Sequence, residues 1–208
     1  MKKLLTLLPI LALLCCCEGG DDFRYPSVLT DFACLVTDAE GLPEALVLDN
    51  GESYAVAFAG EQGERHYSPD STYRVVSIYE LEPEDIAKVY SMSSVFSPIP
   101  TPLLRGETLR QDSVYLQSCW LSGGYLNMVI EMKALDIQHN VDFIDTTPPG
   151  MHGKEFTFYH DACGDIESYR QKLLASIPLA PFELKKGDTV RLVINLYKKG
   201  ITRWEFVM

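Results

Sequence analysis

Four histidines, His66, His139, His152 and His160, are the side chains of this sequence best suited to acid–base or metal chemistry. His160 is the most informative, because Asp161 follows it and an imidazole beside a carboxylate can act as a general base or bind a metal ion. No nucleophile stands nearby and no second histidine has ligand spacing. The pattern favours a structural histidine at the end of a strand, and base chemistry is the alternative.

An acidic cluster, Glu80, Glu82, Glu84 and Asp85, surrounds Pro83. Carboxylates of this kind can bind Ca²⁺, but the cluster lacks the ligand spacing and the glycine of an EF-hand loop. The pattern therefore favours a solvated turn. We predict no metal site and no cofactor.

The motifs of several enzyme classes are missing from the sequence. Gly60-Glu61-Gln62-Gly63 lacks the third glycine and the strand–helix context of a nucleotide-binding loop. There is no G-x-S-x-G elbow, no H-E-x-x-H pair and no C-x-x-C pair. We therefore predict no catalytic residues, and we expect the protein not to be an enzyme.

Trp120, Tyr125 and Asn127 surround a turn at Gly123-Gly124 and are the candidate binding residues. Exposed aromatic side chains on a β-hairpin can stack on a sugar ring or anchor a partner protein. The alternative is that Trp120 packs in a core, since residues of a strand point alternately to its two faces. For Asn127, the alternative is a bridge within the hairpin through its amide.

The N-terminus reads as a lipoprotein signal. Two lysines precede an apolar run, Leu4–Leu14, which is too short to span a bilayer and ends at Cys15-Cys16-Cys17. A cysteine at the cleavage site receives a diacylglycerol and becomes the new N-terminus. We predict a signal peptide at 1–16 and a lipid such as palmitate on Cys17, because polar residues follow it directly; Cys16 is the alternative.

The segment 17–26 is acidic and contains Gly19-Gly20, which predicts a flexible tether. A lipid anchor of this kind predicts an outer-membrane lipoprotein of the cell envelope, on its periplasmic or its cell-surface face. Acidic residues directly after a lipidated cysteine are also found in lipoproteins exported to the surface. The sequence does not choose between these two faces.

The charge and the cysteine content limit the kinds of partner and of covalent cross-link that the protein can have. The formal net charge is −11, with 18 basic and 29 acidic residues, and this balance argues against nucleic acid as a partner. Three cysteines, Cys34, Cys119 and Cys163, follow the signal, so at most one intramolecular disulfide can form. Cys119 and Cys163 are the candidate pair, and three buried free thiols are the alternative.

Most of the sequence has the pattern of strands. In the first half, Asn50-Gly51 is a strong hairpin signal and Tyr73–Leu81 alternates in polarity. The strands predicted there are Phe32–Thr37, Ala45–Leu48, Tyr54–Phe58, Tyr73–Leu81 and Val89–Phe96. Five short strands fit a small OB-like barrel, because closing the sheet removes its exposed edges. We place this barrel domain at 27–97.

Three prolines within Ser97–Pro102 predict a stiff, proline-rich linker at 98–112, followed by a β-sandwich domain at 113–208. The strands predicted there are Val114–Leu121, Tyr125–Leu135, Val141–Ile144, Glu155–Tyr159, Thr189–Tyr197 and Ile201–Val207. One short helix is predicted over Asp165–Leu174, with Asp165 as its N-cap and Pro178 after its end. Its apolar stripe is Ile166, Tyr169, Leu173 and Leu174. The fold class is therefore all-β.

The second half resembles a known family. The run Ser118–Asn127 is similar to the W-x-S-G-x-Y-L-N signature of NigD-like lipoproteins, and Phe158-Tyr159-His160 and Ser176–Leu179 also resemble that family. The resemblance extends over the mature chain and implies an N-terminal OB-like domain and a C-terminal β-sandwich. It also implies a lipoprotein of Gram-negative bacteria. The family's name comes from a bacteriocin cluster, where an immunity role was suggested, and it implies no catalytic residues.

The sequence thus predicts an outer-membrane-anchored lipoprotein that binds an envelope protein, a peptide or a glycan without catalysis. The binding site is expected at the barrel mouth or in a groove between the domains, near the Pro98–Pro102 linker. The alternatives are an envelope hydrolase that uses His160 and acidic residues, and a bacteriocin-immunity or structural lipoprotein.

Overall fold

The computed structural model describes residues 27–59, 67–104, 106 and 108–208. The predicted signal peptide at 1–16, the tether at 17–26 with Cys17, and His66 lie outside the described residues. None of the helices in the described part of the chain is long and apolar enough to span a membrane.

The first half is a closed five-stranded barrel with the strand order β1-β2-β3-β5-β4. Its strands are β1 (Leu29–Thr37), β2 (Pro43–Leu48), β3 (Ser53–Phe58), β4 (Thr72–Glu82) and β5 (Ile86–Ser94). Alternate residues of each strand point inward, and the buried interior contains Ala33, Leu35, Leu46, Val75, Tyr79, Ala87 and Val89. The predicted barrel is confirmed, and Asn50-Gly51 forms the turn between β2 and β3.

The second half consists of two sheets. Its strands are β6 (Thr101–Pro102), β7 (Tyr115–Ser122), β8 (Tyr125–Ala134), β9 (Asn140–Asp145), β10 (Gly153–Asp161), β11 (Tyr169–Pro178), β12 (Thr189–Leu196) and β13 (Gly200–Val207). One sheet has the order β13-β12-β10-β9-β6 and the other has the order β11-β8-β7. Their inner faces share one apolar core that includes Met128, Ile130, Phe143, Phe156 and Phe158. The predicted all-β class is confirmed.

The helix predicted over Asp165–Leu174 is wrong. Tyr169–Pro178 is strand β11, which pairs antiparallel with β8 along its whole length. Leu173, Ala175 and Ile177 pack on the sandwich core at a spacing of two, whereas Ile166 is 66% exposed. Pairing with a neighbouring strand thus overrode the local helical stripe. The one described helical turn is a 3₁₀ turn at Ala180–Phe182.

The predicted linker at 98–112 is attached to the second half of the chain. Thr101 and Pro102 pair parallel with β9, and Gln111 forms a bridge with His160. Just before the linker, the backbone N–H of Phe96 donates to Leu174 O at 2.9 Å. The exact domain bounds stay a prediction, but the two halves are in direct contact through this segment.

Cys119 and Cys163, the candidate disulfide pair, are free thiols in this structure, and so is Cys34, in line with the alternative. Cys119 lies on β7 against the sandwich core, where burial raises the pKa of its thiol to about 12. Cys163 lies in an exposed turn after β10, and its sulfur accepts a hydrogen bond from Asn140. Sequence order alone could not show that the two side chains point to different parts of the sandwich.

Candidate functional site: a groove at the domain interface

The outer face of the three-stranded sheet β7-β8-β11 packs against the barrel through one arginine. Arg74, on β4, has a side chain that is 2% exposed. Its two terminal nitrogens donate to Asp49 Oδ1 at 2.6 Å and Oδ2 at 2.8 Å. The same guanidinium donates to Asn127 Oδ1 at 2.9 Å and to Ser176 Oγ at 3.3 Å. Arg74 therefore joins the barrel to two strands of the sandwich.

Ser122 extends this network along the sandwich hairpin. Its hydroxyl donates to Asp49 Oδ2 and accepts hydrogen bonds from Trp120 Nε1 at 3.1 Å and Asn127 Nδ2 at 3.0 Å. Ser176 Oγ donates to Asn127 Oδ1 at 2.6 Å. We call Asp49, Arg74, Ser122, Asn127 and Ser176 the interdomain lock. Buried polar groups need such partners, because an unsatisfied one costs about 1–3 kcal/mol.

Two aromatic rings cover the arginine. The guanidinium carbon of Arg74 lies 4.1 Å from the ring centroid of Tyr125 and 5.6 Å from that of Phe32. Arginine stacks well on aromatic faces because its charge is delocalised over a plane. The Tyr125 hydroxyl is in hydrogen-bond contact with Cys34 Sγ at 3.5 Å. Burial and this contact raise the pKa of Tyr125 to about 12.

The contacts within the lock favour the charged forms of Asp49 and Arg74. Burial by itself raises the pKa of Asp49, but hydrogen bonds from Arg74 and Ser122 outweigh it and place the pKa below its usual range. Burial likewise opposes the charge of Arg74, and the Asp49 carboxylate raises its pKa. Arg74 and Asp49 therefore form a hydrogen-bonded ion pair at the centre of the lock at neutral pH.

The turn at Gly123-Gly124 lets the hairpin approach Asp49. Gly123 has φ +58°, and a Cβ there would lie 2.3 Å from Asp49 Oδ1. A side chain at this position would therefore collide with the carboxylate that the lock requires. This close approach explains the glycine in the motif that resembles the family signature.

The three candidate binding residues lie together but have different roles. Asn127 is fully buried and bonds only to protein groups of the lock, and Tyr125 covers Arg74. Trp120 packs edge-on against Phe32 with ring centroids 5.1 Å apart, at the interface and not in the sandwich core. Of the three, Trp120 lines a cavity.

That cavity is a groove of about 820 Å³ between the barrel and the sandwich hairpin. Its apolar lining residues are Leu29, Phe32, Leu48, Val76, Tyr79, Leu81, Trp120 and Leu174, and its polar ones are Thr30, Asp31, Asp49, Asn50, Glu52 and Ser122. We call this cavity the interface groove. Its volume lies within the range of about 300–1,000 Å³ that is usual for ligand sites. None of the residues Pro98–Pro102 lines this groove, and a site near them stays a prediction.

Sequence reasoning missed Asp31, Asp49 and Arg74. Asp49 directly precedes the Asn50-Gly51 turn, so it looked like part of a turn. Arg74 lies on the outward face of an alternating strand, where an arginine is ordinarily solvated. No sequence signal connected either residue to a hairpin more than 40 positions further on.

His160, the strongest catalytic candidate in the sequence, lies in a separate buried chain of hydrogen bonds. It is 2% exposed; its Nδ1 lies 2.9 Å from Asp112 O and its Nε2 lies 2.9 Å from His139 Nδ1. His139 Nε2 lies 3.2 Å from Asp165 Oδ2. Asp161, the neighbour in sequence, instead pairs with Arg110.

The partners assign the protons in this chain. A carbonyl oxygen only accepts, so His160 Nδ1 donates to Asp112 O and the neutral ring accepts at Nε2. His139 Nδ1 must then donate to His160, while His139 Nε2 donates to the Asp165 carboxylate. Backbone hydrogen bonds, first that of Leu135, lower the pKa of Asp165 to about 2, which keeps it ionised.

This arrangement predicts acid sensitivity. Burial, with a smaller contribution from the nearby His139, lowers the pKa of His160, so this imidazole takes up a proton more readily in the unfolded chain than in the folded one. The stability from neutral His160 is complete above pH about 6.5 and is lost as pH falls below it. We expect the urea midpoint to fall between pH 7 and 5, and His160→Gln to flatten this dependence. Equal slopes in both proteins would contradict the assignment.

The four residues of the acidic cluster lie at the end of β4 and in the turn that follows it. Glu80 accepts a hydrogen bond from Tyr90 at 2.7 Å, and Glu82 pairs with Lys88 at 3.0 Å. Glu84 and Asp85 form the turn between β4 and β5. No group of three histidine, cysteine, aspartate or glutamate side chains among the described residues could hold a metal ion.

Several known crystal structures resemble this chain over most of its length. A crystal structure of a NigD-like immunity protein from Bacteroides caccae matches with a TM-score of 0.70 and 27% identity, over 89% of this chain and 99% of that chain. Two others show the fold alone. A putative toxin-related protein from Parabacteroides distasonis has TM-score 0.64, 19% identity and coverage of 88% and 93%. A putative lipoprotein from Bacteroides fragilis has a TM-score of 0.57 and 8% identity, over 88% of this chain and 96% of that chain.

Among curated proteins, none matches this chain. A family model described as the NigD-like C-terminal beta sandwich domain matches residues 100–208. That span contains Ser122, Asn127 and Ser176, which are the sandwich residues of the lock, and the motif residues Trp120 and Tyr125. Because the match takes in more than half of the sequence, this chain belongs to the NigD-like family.

Proposed function

We propose that this protein is a lipoprotein of the outer membrane, anchored by a lipid on Cys17, that binds an envelope protein, a peptide or a glycan without catalysis. The interface groove is its binding site. The observation that carries the proposal is the groove itself, a concave site with aromatic walls and a few polar groups. Rigid walls favour binding, because less freedom is lost when a ligand enters.

The hydrolase alternative has less support. Catalysis by His160 needs an accessible ring nitrogen, a nucleophile and space for a substrate. Both ring nitrogens of His160 are engaged by Asp112 and His139, and the side chain is buried. The chain of hydrogen bonds ends at the carboxylate of Asp165, which also accepts a hydrogen bond from the backbone N–H of Leu135. Asp165 therefore joins two loops, which fits a structural role.

The immunity alternative agrees with binding. The structure from Bacteroides caccae is called an immunity protein. If this chain has an immunity role that depends on binding another molecule, the interface groove is the site that we propose for it. The acidic composition and the absence of lysine or arginine among the described lining residues support a partner other than nucleic acid.

Site-specific photo-crosslinking tests the proposal. A photoreactive residue at Leu81, which lines the groove and is 41% exposed, should give discrete adducts in intact cells. The same residue at Ile201, which is 48% exposed on β13 of the other sheet, is the matched control. Labelled palmitate reports the anchor in the same cells and should be lost in Cys17→Ala. Identical adduct patterns at both positions would contradict the proposed site.

A further inference from the structure

The walls of the interface groove favour an apolar side chain over a sugar. Leu48, Leu81 and Leu174, from the strands β2, β4 and β11, supply aliphatic surface, and Phe32 adds an aromatic ring. The Trp120 ring meets the Phe32 ring at an interplanar angle of 89°, and its Nε1 is already engaged by Ser122. A sugar gains most from a free aromatic face and from free hydrogen-bonding groups. An aliphatic side chain needs only the apolar contact that these walls offer.

The polar groups of the groove favour a positive charge beside that side chain. Three carboxylates, Asp31, Asp49 and Glu52, line it, and no lysine or arginine does so within the described part of the chain. Arg74 neutralises Asp49 from behind the wall. Asp31 and Glu52 are exposed, and neither forms an ion pair with a described residue. Their charges are therefore available to a cationic ligand.

Hydrogen bonds from neighbouring side chains orient the carboxylates of Asp31 and Glu52. The fully buried Tyr79 donates to Asp31 Oδ2 at 2.9 Å, and this carboxylate with burial raises the pKa of Tyr79. Tyr54 donates to Glu52 Oε2 at 3.1 Å, and Asn50 Nδ2 donates to the same oxygen at 2.6 Å. One oxygen of each carboxylate is thus fixed by the barrel. Groups that are already oriented bind with a smaller loss of entropy.

We propose that the interface groove binds a short extended peptide segment of a partner protein, in which an apolar side chain is flanked by lysine or arginine. The apolar side chain enters between Leu48, Leu81 and Leu174, and the cations pair with Asp31 and Glu52. This inference rests on the proposed binding function and adds the class of ligand. The overall charge of −11 would also speed the approach of a basic partner.

Peptide binding to the mature lipidated protein in detergent tests this inference. The probes are a blocked, fluorescent peptide with a Lys-Leu-Leu-Lys centre, the same peptide with glutamate for lysine, and a neutral chito-oligosaccharide. We expect the lysine peptide to bind most tightly and its affinity to fall as salt is raised, because exposed ion pairs are screened.

Variants locate the binding in the groove. Asp31→Asn and Glu52→Gln should each weaken the lysine peptide by about three- to fivefold, the range expected for exposed ion pairs. Leu81→Lys should abolish binding, because it places a positive charge on the lining of the groove. Glu44→Gln removes an exposed carboxylate of β2 that does not line the groove, and it should leave the affinity unchanged.

Each result separates the ligand class from the binding function. Equal affinities for the two peptides, tighter binding of the oligosaccharide, or an unchanged affinity in Asp31→Asn and Glu52→Gln overturns the peptide class. Failure of every probe also overturns it, even if Leu81 still gives adducts in cells. Failure of every probe together with the loss of specific adducts at Leu81 overturns the binding function itself.

Discussion

Replacing Arg74 with methionine should lower the free energy of unfolding by about 3–5 kcal/mol, the cost of removing one partner of a buried ion pair. The substitution leaves the Asp49 carboxylate without its counter-charge and takes donors from Asn127 and Ser176. It also removes the stacking on Tyr125. Urea unfolding monitored by tryptophan fluorescence would measure the effect.

Arg170 provides the matched control. Like Arg74, it pairs with a carboxylate, that of Glu131 at 3.1 Å, and lies over a tyrosine ring, but its side chain is 56% exposed. Arg170→Met should therefore cost less than about 1 kcal/mol. The double change Arg74→Met with Asp49→Leu should recover part of the loss, because the uncompensated carboxylate is gone. Equal destabilisation by Arg74→Met and Arg170→Met would show that the lock contributes little.

Gly153→Ala should destabilise the sandwich by at least about 3 kcal/mol. Gly153 is the first residue of β10, has φ +119° and pairs with Thr189 at the start of the parallel contact between β10 and β12. A Cβ there would lie 1.9 Å from Thr189 O and 2.6 Å from Thr189 N. Both atoms belong to the backbone, so the two strands themselves would have to separate.

Gly150→Ala separates the collision from the backbone strain. Gly150 also has a positive φ, +81°, but nothing lies within 4 Å of a Cβ built on it. Its substitution should cost only the strain of a left-handed residue, about 1 kcal/mol. Thermal or urea unfolding of the two variants would compare them directly. A Gly153→Ala protein as stable as Gly150→Ala would contradict the close approach of β10 to β12.

The parts of the fold that the sequence predicted are those set by local pattern. Alternation along Tyr73–Leu81 and the Asn50-Gly51 turn both follow from residues that are neighbours in the chain. The segment Asp165–Leu174 misled the prediction because its apolar spacing fits a helix as well as a strand. Only the pairing of Tyr169–Pro178 with β8, which depends on a distant segment, decides between the two.

The sequence motif around Trp120 and Asn127 indicates the hairpin that packs against the barrel, but it does not show what Asn127 contacts. Its partner Arg74 is 53 positions earlier in the chain, and no spacing rule connects the two. The carboxylates of the groove were hidden in the same way, since Asp31 and Glu52 look like ordinary surface residues until the barrel brings them beside Trp120.

The positions of the lock residues along the chain also determine which parts of the structure can form before synthesis is complete. All five barrel strands lie within residues 29–94, so the barrel can close while later segments are still being synthesised. Two walls of the interface groove come from β7 and β11, and the last group of the lock is Ser176 on β11. A chain that ends before β11 can therefore contain all five barrel strands and still lack part of the interface groove. The proposed binding site is complete only when β7 and β11 have packed against the barrel.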